Sequence, residues 1–151
     1  MLLTNAFRDL TDRRRAQGLR VTQEQVLTMV VVAYVCGYFS YRKMETFSKA
    51  HSDLFTEALD LKHPVPSFMT FRDIIVNTDQ AELIAAFNLW AKDLVHNEDN
   101  NGVTSGNAPV VLAVCSTIAI NIHRKEGYDS ISYGQIKFGA RVADILKIIK
   151  T

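Results

Sequence analysis

The sequence predicts an all-α fold, a compact multi-helix domain of about seven or eight helices. Three observations support this fold class. Apolar residues recur at three- and four-residue spacing in most segments, Ser, Thr or Asn precedes several of these segments as a helix cap, and no alternating strand pair or hairpin turn occurs. The chain has 151 residues, of which 48% are hydrophobic, so it can bury a sizeable core.

The first long helix is expected to begin after Thr22, which can form a capping box with Gln25, and to end at Gly37. Its β-branched run also fits a strand, but the cap, the length and the lack of alternation favour a helix. Because it is apolar on every side, this helix should be the spine of the core. Its apolar residues are Val26, Leu27, Met29, Val30, Val31, Val32 and Val35.

Three shorter helices should follow. Ser40 and Ser52 are the expected caps of the first two, and Ser67, after the break at Pro64 and Pro66, is the expected cap of the third. Their apolar faces consist of Tyr41, Met44 and Phe47, of Leu54, Phe55, Ala58 and Leu59, and of Phe68, Phe71, Ile74 and Ile75.

Thr78 begins the clearest amphipathic helix, and the chain then turns polar. Residues 96–107 (HNEDNNGVTSGN) favour turns and form the predicted linker. The linker separates an amino-terminal helical domain, residues 1–95, from carboxy-terminal helices in residues 108–151, which we expect to pack on the first part. The apolar residues of the amphipathic helix are Leu83, Ile84, Phe87, Trp90, Ala91 and Leu94.

The carboxy-terminal part should open with a long helix. Asn107 is its expected cap, Pro109 lies in its first turn, and Gly127 ends it. Residues 130–138 and 140–149 form the final pair of predicted helices.

Charge is distributed unevenly, although the net charge is only +1. Residues 1–50 hold eight Lys or Arg against four acids, residues 51–104 hold three against nine, and residues 105–151 hold six against three. A cluster of arginines before the first long helix could bind phosphates, or it could be a solvated segment with salt bridges to Asp9 and Asp12. The cluster consists of Arg8, Arg13, Arg14, Arg15 and Arg20.

Two features bear on the compartment. The amino terminus lacks the pattern of an export signal, and the apolar run from Val26 to Phe39 is too short for a membrane-spanning helix. We therefore expect a cytoplasmic protein without a membrane partner. Cys36 and Cys115 lie in apolar segments and are interpreted as small core residues, with a reactive thiol as the alternative.

The sequence offers little catalytic chemistry. It has no glycine-rich phosphate loop and no nucleophile elbow, and its histidines lack zinc-ligand spacing. Two acidic groups, Glu98 with Asp99 and Asp53 with Glu57 and Asp60, are better explained as solvated surface than as ion ligands. We therefore predict no enzyme, no catalytic or metal-binding residues, no cofactor and no small-molecule substrate.

The short helices of residues 40–76 also suggest a helix-turn-helix. A recognition helix that starts at Ser67 would expose polar side chains toward DNA bases, but a plain packing helix fits the same residues. The polar side chains are Thr70, Arg72, Asp73 and Asn77.

Roughly residues 8–94 carry a family resemblance. The segment DLTDRRRAQGLRVTQEQVLTMVVVAYVCGYFSYRKMETFSKAHSDLF, then VPSFMTF and FNLW, resembles the amino-terminal helical domain of bacterial insertion-sequence transposases, the family that includes the H-repeat-associated proteins. In that family the domain precedes a DDE catalytic core of ribonuclease-H type, in which three carboxylates hold two metal ions. The most specific matches are Asp12, Arg13, Arg14, Gly18 and Arg20, then Gly37, Ser40, Tyr41 and Arg42, and finally Pro66, Ser67, Thr70 and Phe71.

The end of the chain resembles the carboxy-terminal tail of the same transposases, from EDNNGVTSGNAP to ARVADIL. The tail of that family is basic where this chain has Asn100, Gly102 and Thr104, so we expect no DNA contact there. Head and tail would join near Val95 to Asn97, without the catalytic core, its carboxylates or its ribonuclease-H-like sheet. The matching residues are Glu98, Asp99, Val103, Gly106, Asn107, Ala108, Pro109, Ile118, Ala119, Asn121, Arg124 and Gly127.

The resemblance implies a catalytically inactive, transposase-derived protein that binds the DNA ends of an insertion sequence or modulates transposition. The alternative is a protein-interaction module, or an inert remnant, that associates with full-length transposase or with itself. The apolar tail helices suggest this alternative, because without the catalytic core they need another surface to bury their apolar residues. The expected phosphate contacts are Arg13, Arg14, Arg15 and Arg20, and the residues expected near bases are Arg42, Lys43, Thr70 and Arg72.

Overall fold

The computed structural model describes residues 2–14, 19–94 and 107–150. These residues form nine helices and no strand, which confirms the all-α prediction. The helices are α1 (Leu3–Arg8), α2 (Gln23–Val35), α3 (Tyr41–Ala50), α4 (Ser52–Leu59), α5 (Phe68–Asn77), α6 (Gln80–Leu94), α7 (Asn107–Lys125), α8 (Ile131–Gly139) and α9 (Val142–Lys150). The predicted join at Val95 to Asn97 and nearly all of the linker lie outside the described residues.

The additional helix is α1, which the sequence analysis missed. Its buried residues Leu3, Ala6 and Phe7, with Leu10 just beyond, have helical spacing, so the signal was present. The helix has only six residues, and Leu2 before it provides no side-chain cap. Its stability therefore comes from packing against α2 and α6.

Helix α2 is the buried spine that the sequence predicts. Thr22 and Gln25 form the capping box, because each backbone N–H donates to the other side chain, at 2.9 and 3.1 Å. At the other end Gly37 has a φ of +89°, which residues with a Cβ rarely adopt. This left-handed turn lets the Tyr38 N–H reach the Ala33 carbonyl at 2.8 Å and closes the helix.

The starts of the middle helices were predicted with mixed success. Ser40 caps α3 through the Lys43 N–H at 3.2 Å. Ser52 is wrong as a cap, because it is the first residue of α4 and His51 precedes the helix. Ser67 does precede α5, but its side chain accepts no capping bond.

Thr78 is wrong as the start of α6. Its hydroxyl donates to the Ile74 carbonyl at 2.7 Å, so it closes α5. The cap of α6 is Asp79, whose Oδ1 accepts the Glu82 N–H at 3.0 Å. Thr78 therefore ends α5, and the next residue, Asp79, starts α6.

The carboxy-terminal helices pack on the amino-terminal ones. Helix α7 contacts α2, α5 and α6, and α9 contacts α1 and α2. The amino-terminal helices thus cover the apolar tail, whose buried residues lie in the same core as α2. Those residues are Val111, Val114, Ile118, Ile145 and Ile149.

A close approach fixes α8 at the end of α7. The His123 imidazole is 1% exposed, and its Nε2 lies 3.0 Å from the Val35 carbonyl. Gly134 of α8 lies against the ring so closely that a Cβ there would overlap Nδ1. Burial lowers the pKa of His123 and favours the neutral ring.

The cysteines are core residues. Cys36 and Cys115 are both buried, and burial raises the pKa of each thiol to about 12. The alternative of a reactive thiol therefore has no support, since the nucleophile would be the thiolate. Among the described helices, none is long and apolar enough to cross a membrane.

Candidate nucleic-acid interface

Arg14 is the most restrained member of the arginine cluster. Its guanidinium donates to both carboxylate oxygens of Asp12, at 2.9 and 2.6 Å, and to the Val21 carbonyl at 2.8 Å. The side chain is only 19% exposed. Hydrogen bonds from Arg14 hold the pKa of Asp12 below its ordinary value. Arg14 therefore links Asp12 to Val21, which lies just before α2.

Arg13 and Thr11 fasten the segment before α2 to the first turn of α6. The Arg13 guanidinium lies 2.5 Å from Asp79 Oδ2, and the Thr11 N–H donates to Glu82 Oε2 at 2.8 Å. The pKa of Asp79 is lowered by the Glu82 N–H and by the charge of Arg13. Asp79, which caps α6, and Glu82 in its first turn thus hold this segment in place.

The remaining arginines of the cluster differ from each other. Arg8 pairs with Glu24 at 3.2 Å, whereas Arg20 is exposed and has no ion pair within the described part of the chain. Arg15 lies outside the described residues. Of the two acids expected to form salt bridges with the cluster, Asp12 pairs with Arg14, whereas Asp9 has no salt bridge to a described residue.

A second cationic group lies where α3 meets α5, and we call it the α3–α5 face. The Arg42 guanidinium carbon is 4.2 Å from the centroid of the Phe68 ring, the first residue of α5. Lys43 is exposed beside Arg42, and Arg72 is exposed one helical turn beyond Phe68. Thr70, on the same helix, is half-buried.

Of the cations on this face, Arg72 alone has an ion pair with a described acid. Glu45 of α3 is occupied, because it pairs with Lys49 at 2.5 Å and accepts the Phe68 N–H at 3.1 Å. Asp73 reaches Arg72 only at 3.8 Å. Arg42 and Lys43 make no ion pair with any residue that the structure describes.

Helix α5 connects the two cationic groups. Its first residue contacts Arg42, and near its end Ile74 and Asn77 line a crevice together with Arg13 and Arg14. The helix has 10 residues, so the two groups are separated by about 15 Å along its axis. One side of α5 is buried in the core, and the other carries Arg72 and Asn77 to the surface.

The arrangement of α4 and α5 differs from a helix-turn-helix. Residues 60–67 connect the two helices, and this segment is longer than the three- or four-residue turn of that motif. Helix α5 packs instead against α3, α2 and α7. The plain packing interpretation therefore describes α5 better, and its outer side is exposed at Arg72, Asp73 and Asn77.

No group of three or more His, Cys, Asp or Glu side chains in the described residues could hold a metal ion. Asp53, Glu57 and Asp60 are exposed, as a solvated surface requires. Glu98 and Asp99 lie outside the described residues.

Comparison with known families gives a match over the amino-terminal helices. The family model DDE_Tnp_1-associated matches residues 4–91, more than half of the chain. The chain belongs to the DDE_Tnp_1-associated family. This transposase-associated domain is distinct from the catalytic DDE core, and the described residues contain no sheet on which such a core is built. No curated protein and no solved structure matches the chain.

The match contains every residue that the sequence analysis expected at DNA, from Arg13 to Arg72. The carboxy-terminal helices α7, α8 and α9 lie beyond it. Their resemblance to a transposase tail therefore stays a prediction, as does the division at residues 95 and 108. What the structure adds is physical contact, since α7 covers α2 and α5 inside the matched domain.

Proposed function

We propose that this member of the DDE_Tnp_1-associated family is a catalytically inactive, cytoplasmic, transposase-derived protein that binds the DNA ends of an insertion sequence. The observation that carries the proposal is the α3–α5 face. Arg42, Lys43 and Arg72 are exposed on this face. Arg42 and Lys43 make no ion pair with a described residue, and Arg72 lies 3.8 Å from Asp73, which suits phosphate contact.

The expected DNA contacts divide by their surroundings. Arg42, Lys43 and Arg72 meet the DNA directly, with Thr70 at the edge of their face. Arg13 contacts the DNA only when its ion pair with Asp79 breaks. Arg14 positions the segment before α2 through its bonds to Asp12 and Val21. Arg15 and Arg20 extend the phosphate contacts, since they precede α2 in the same basic segment.

The matched region supports the lack of catalysis. The family is associated with DDE transposases without being their catalytic core. Two carboxylates beside the basic residues are engaged: Glu45 accepts the Phe68 N–H and pairs with Lys49, and Asp79 caps α6 and pairs with Arg13. Binding without strand cleavage therefore fits these residues.

Fluorescence anisotropy tests the proposal, with a labelled duplex of the terminal repeat and a scrambled duplex of equal length. The double variant Arg42→Ala, Lys43→Ala should bind about tenfold more weakly, because two phosphate contacts are lost. The matched control Lys125→Ala, Lys137→Ala removes two exposed cations elsewhere and should bind like the original protein. If neither duplex is bound at about 50 mM salt, the proposal is wrong.

The second candidate function, a protein-interaction module, is favoured by one observation on α8. Ile131, Tyr133 and Ile136 are exposed to 45%, 53% and 73%, although they are large apolar side chains. Such side chains are typical of contact surfaces when they group together. A copy of this chain or full-length transposase is the proposed partner.

Light scattering after size exclusion and co-purification with full-length transposase test this candidate. Ile136→Lys should abolish the association while leaving helicity unchanged, since residue 136 is exposed. A monomer that does not co-purify with transposase would exclude the interaction module.

A further inference from the structure

We propose that the α3–α5 face binds unpaired nucleotides at a single-stranded or frayed DNA end, with a base stacked on Arg42. This inference rests on the proposed DNA-binding function and names the form of DNA that is recognised. It follows from the ring contact, the charges and the limited base-reading capacity of α5.

The ring contact gives the first argument. The Arg42 guanidinium carbon lies 4.2 Å from the centre of the Phe68 ring, so this planar cation packs over an aromatic ring. The Arg42 side chain is nevertheless exposed. A planar group held on one side and open on the other is a platform for a base, because Arg planes and aromatic rings both stack on unpaired bases.

The support beneath this platform is well defined. The Phe68 N–H donates to Glu45 Oε2 at 3.1 Å, which joins α5 to α3 at the position of the stack. Glu45 is held in turn by Lys49. Lys49 and the Phe68 N–H lower the pKa of Glu45, and the charge of Arg42, one turn away on α3, adds to this effect.

The surrounding side chains suit a single strand. Met69 is 48% exposed next to Phe68 and offers an apolar surface to a second base. Lys43, next to Arg42 on α3, and Arg72, one turn beyond Phe68 on α5, are exposed cations for the phosphates of the strand. Stacking surfaces between cations are the usual means of binding single strands without reading their sequence.

The same helix is poorly equipped to read a duplex. Reading a major groove requires several polar side chains along one exposed helix face. On α5, Thr70 is half-buried and Asp73 is an exposed acid that would repel the phosphate backbone. The Asn77 amide nitrogen already donates to the Asp73 carbonyl at 2.7 Å. Arg72 alone remains for direct contact with base edges.

Fluorescence anisotropy on the full chain tests this proposal with three labelled probes of about 12 nucleotides, a length that spans a typical site. The probes are a single strand, the blunt duplex of the same sequence, and that duplex with an unpaired end. The single strand and the unpaired end should bind about tenfold more tightly than the blunt duplex, which corresponds to one stacked base.

Arg42→Lys is the decisive variant, because it keeps the charge and removes the planar surface. It should weaken binding to both unpaired probes about fivefold and change binding to the blunt duplex less than twofold. Phe68→Leu should act in the same direction. Should Phe68→Leu fail to fold, Arg42→Lys still decides, since residue 42 is exposed. Lys125→Arg is the control and should change none of the three affinities.

The outcomes separate this inference from the function on which it rests. Equal or tighter binding to the blunt duplex would overturn the preference for unpaired ends and leave DNA binding intact. Equal losses by Arg42→Lys on all three probes would overturn stacking as its cause. A chain that binds none of the probes would overturn both.

Discussion

The arginine segment before α2 and the α3–α5 face have similar charge and opposite surroundings. In the first, Arg13 and Arg14 are bonded to carboxylates at 2.5 and 2.6 Å. In the second, Arg42 covers an aromatic ring and makes no ion pair with a described residue. A run of arginines in a sequence is thus a poor guide to phosphate binding, because a guanidinium that is paired with a carboxylate of the protein is not available to a phosphate.

Arg14→Ala has the largest expected effect. Compared with Arg42→Ala, it shows how differently the two regions contribute to the free energy of unfolding. The substitution leaves Asp12 and the Val21 carbonyl without their donor, so the free energy of unfolding should fall by about 1–2 kcal/mol. Arg42→Ala should cost less than about 0.5 kcal/mol, because its guanidinium is at the surface. Urea denaturation measures both. Equal losses would remove the distinction between the two regions.

Acid should weaken the arginine segment through Asp12. The folded pKa of Asp12 is lowered by Arg14, so its contribution is present above the unfolded pKa of about 4 and is lost as pH falls through the folded pKa. The difference in unfolding free energy between the original protein and Asp12→Asn should therefore stay constant from pH 7 to about pH 5 and shrink below about pH 4.

Taking this difference cancels the contribution of His123, whose lowered pKa reduces stability as pH falls below about 6.5 in both proteins. Urea denaturation across this pH range makes the measurement. A difference that is independent of pH would show that Arg14 and Asp12 do not stabilise each other.

Asp79→Asn tests whether internal carboxylates compete with DNA. It removes the charge that holds Arg13, while asparagine keeps the cap of α6. DNA affinity should rise about threefold at low salt, since one cation is released to phosphate. Asp53→Asn removes an exposed charge on α4 and should have no such effect. A drop in affinity after Asp79→Asn would mean that the ion pair positions Arg13 for binding.

Arg20→Ala has the smallest expected effect. Arg20 is exposed and unpaired within the described residues, so its loss should lower DNA affinity about twofold and leave the urea midpoint unchanged. Anisotropy titrations at two salt concentrations provide the measurement. A loss as large as that of the Arg42 variants would move the main contact from the α3–α5 face to the segment before α2.

Local sequence determined most of the helices. The capping box at Thr22, the left-handed turn at Gly37 and the apolar spacing of α6 depend on residues within a few positions of each other. At the starts of α5 and α6 the expected residue makes no capping bond, because a distant or an adjacent side chain accepts the N–H instead. Glu45 of α3 supports the start of α5, and Asp79 displaces Thr78 as the cap of α6.

The candidate site shows the same division. The sequence by itself supplied the family, the cationic residues and the all-α fold, because motifs, composition and periodicity are local properties. Only the tertiary structure decided which cations are free, since the partners of Arg13 and Arg42 lie 66 and 26 residues away along the chain. It likewise decided that α7 and α9 are covered by α1, α2, α5 and α6. Packing between distant segments has no periodic signature in the sequence. It nevertheless decides which charged side chains are paired and which stay exposed.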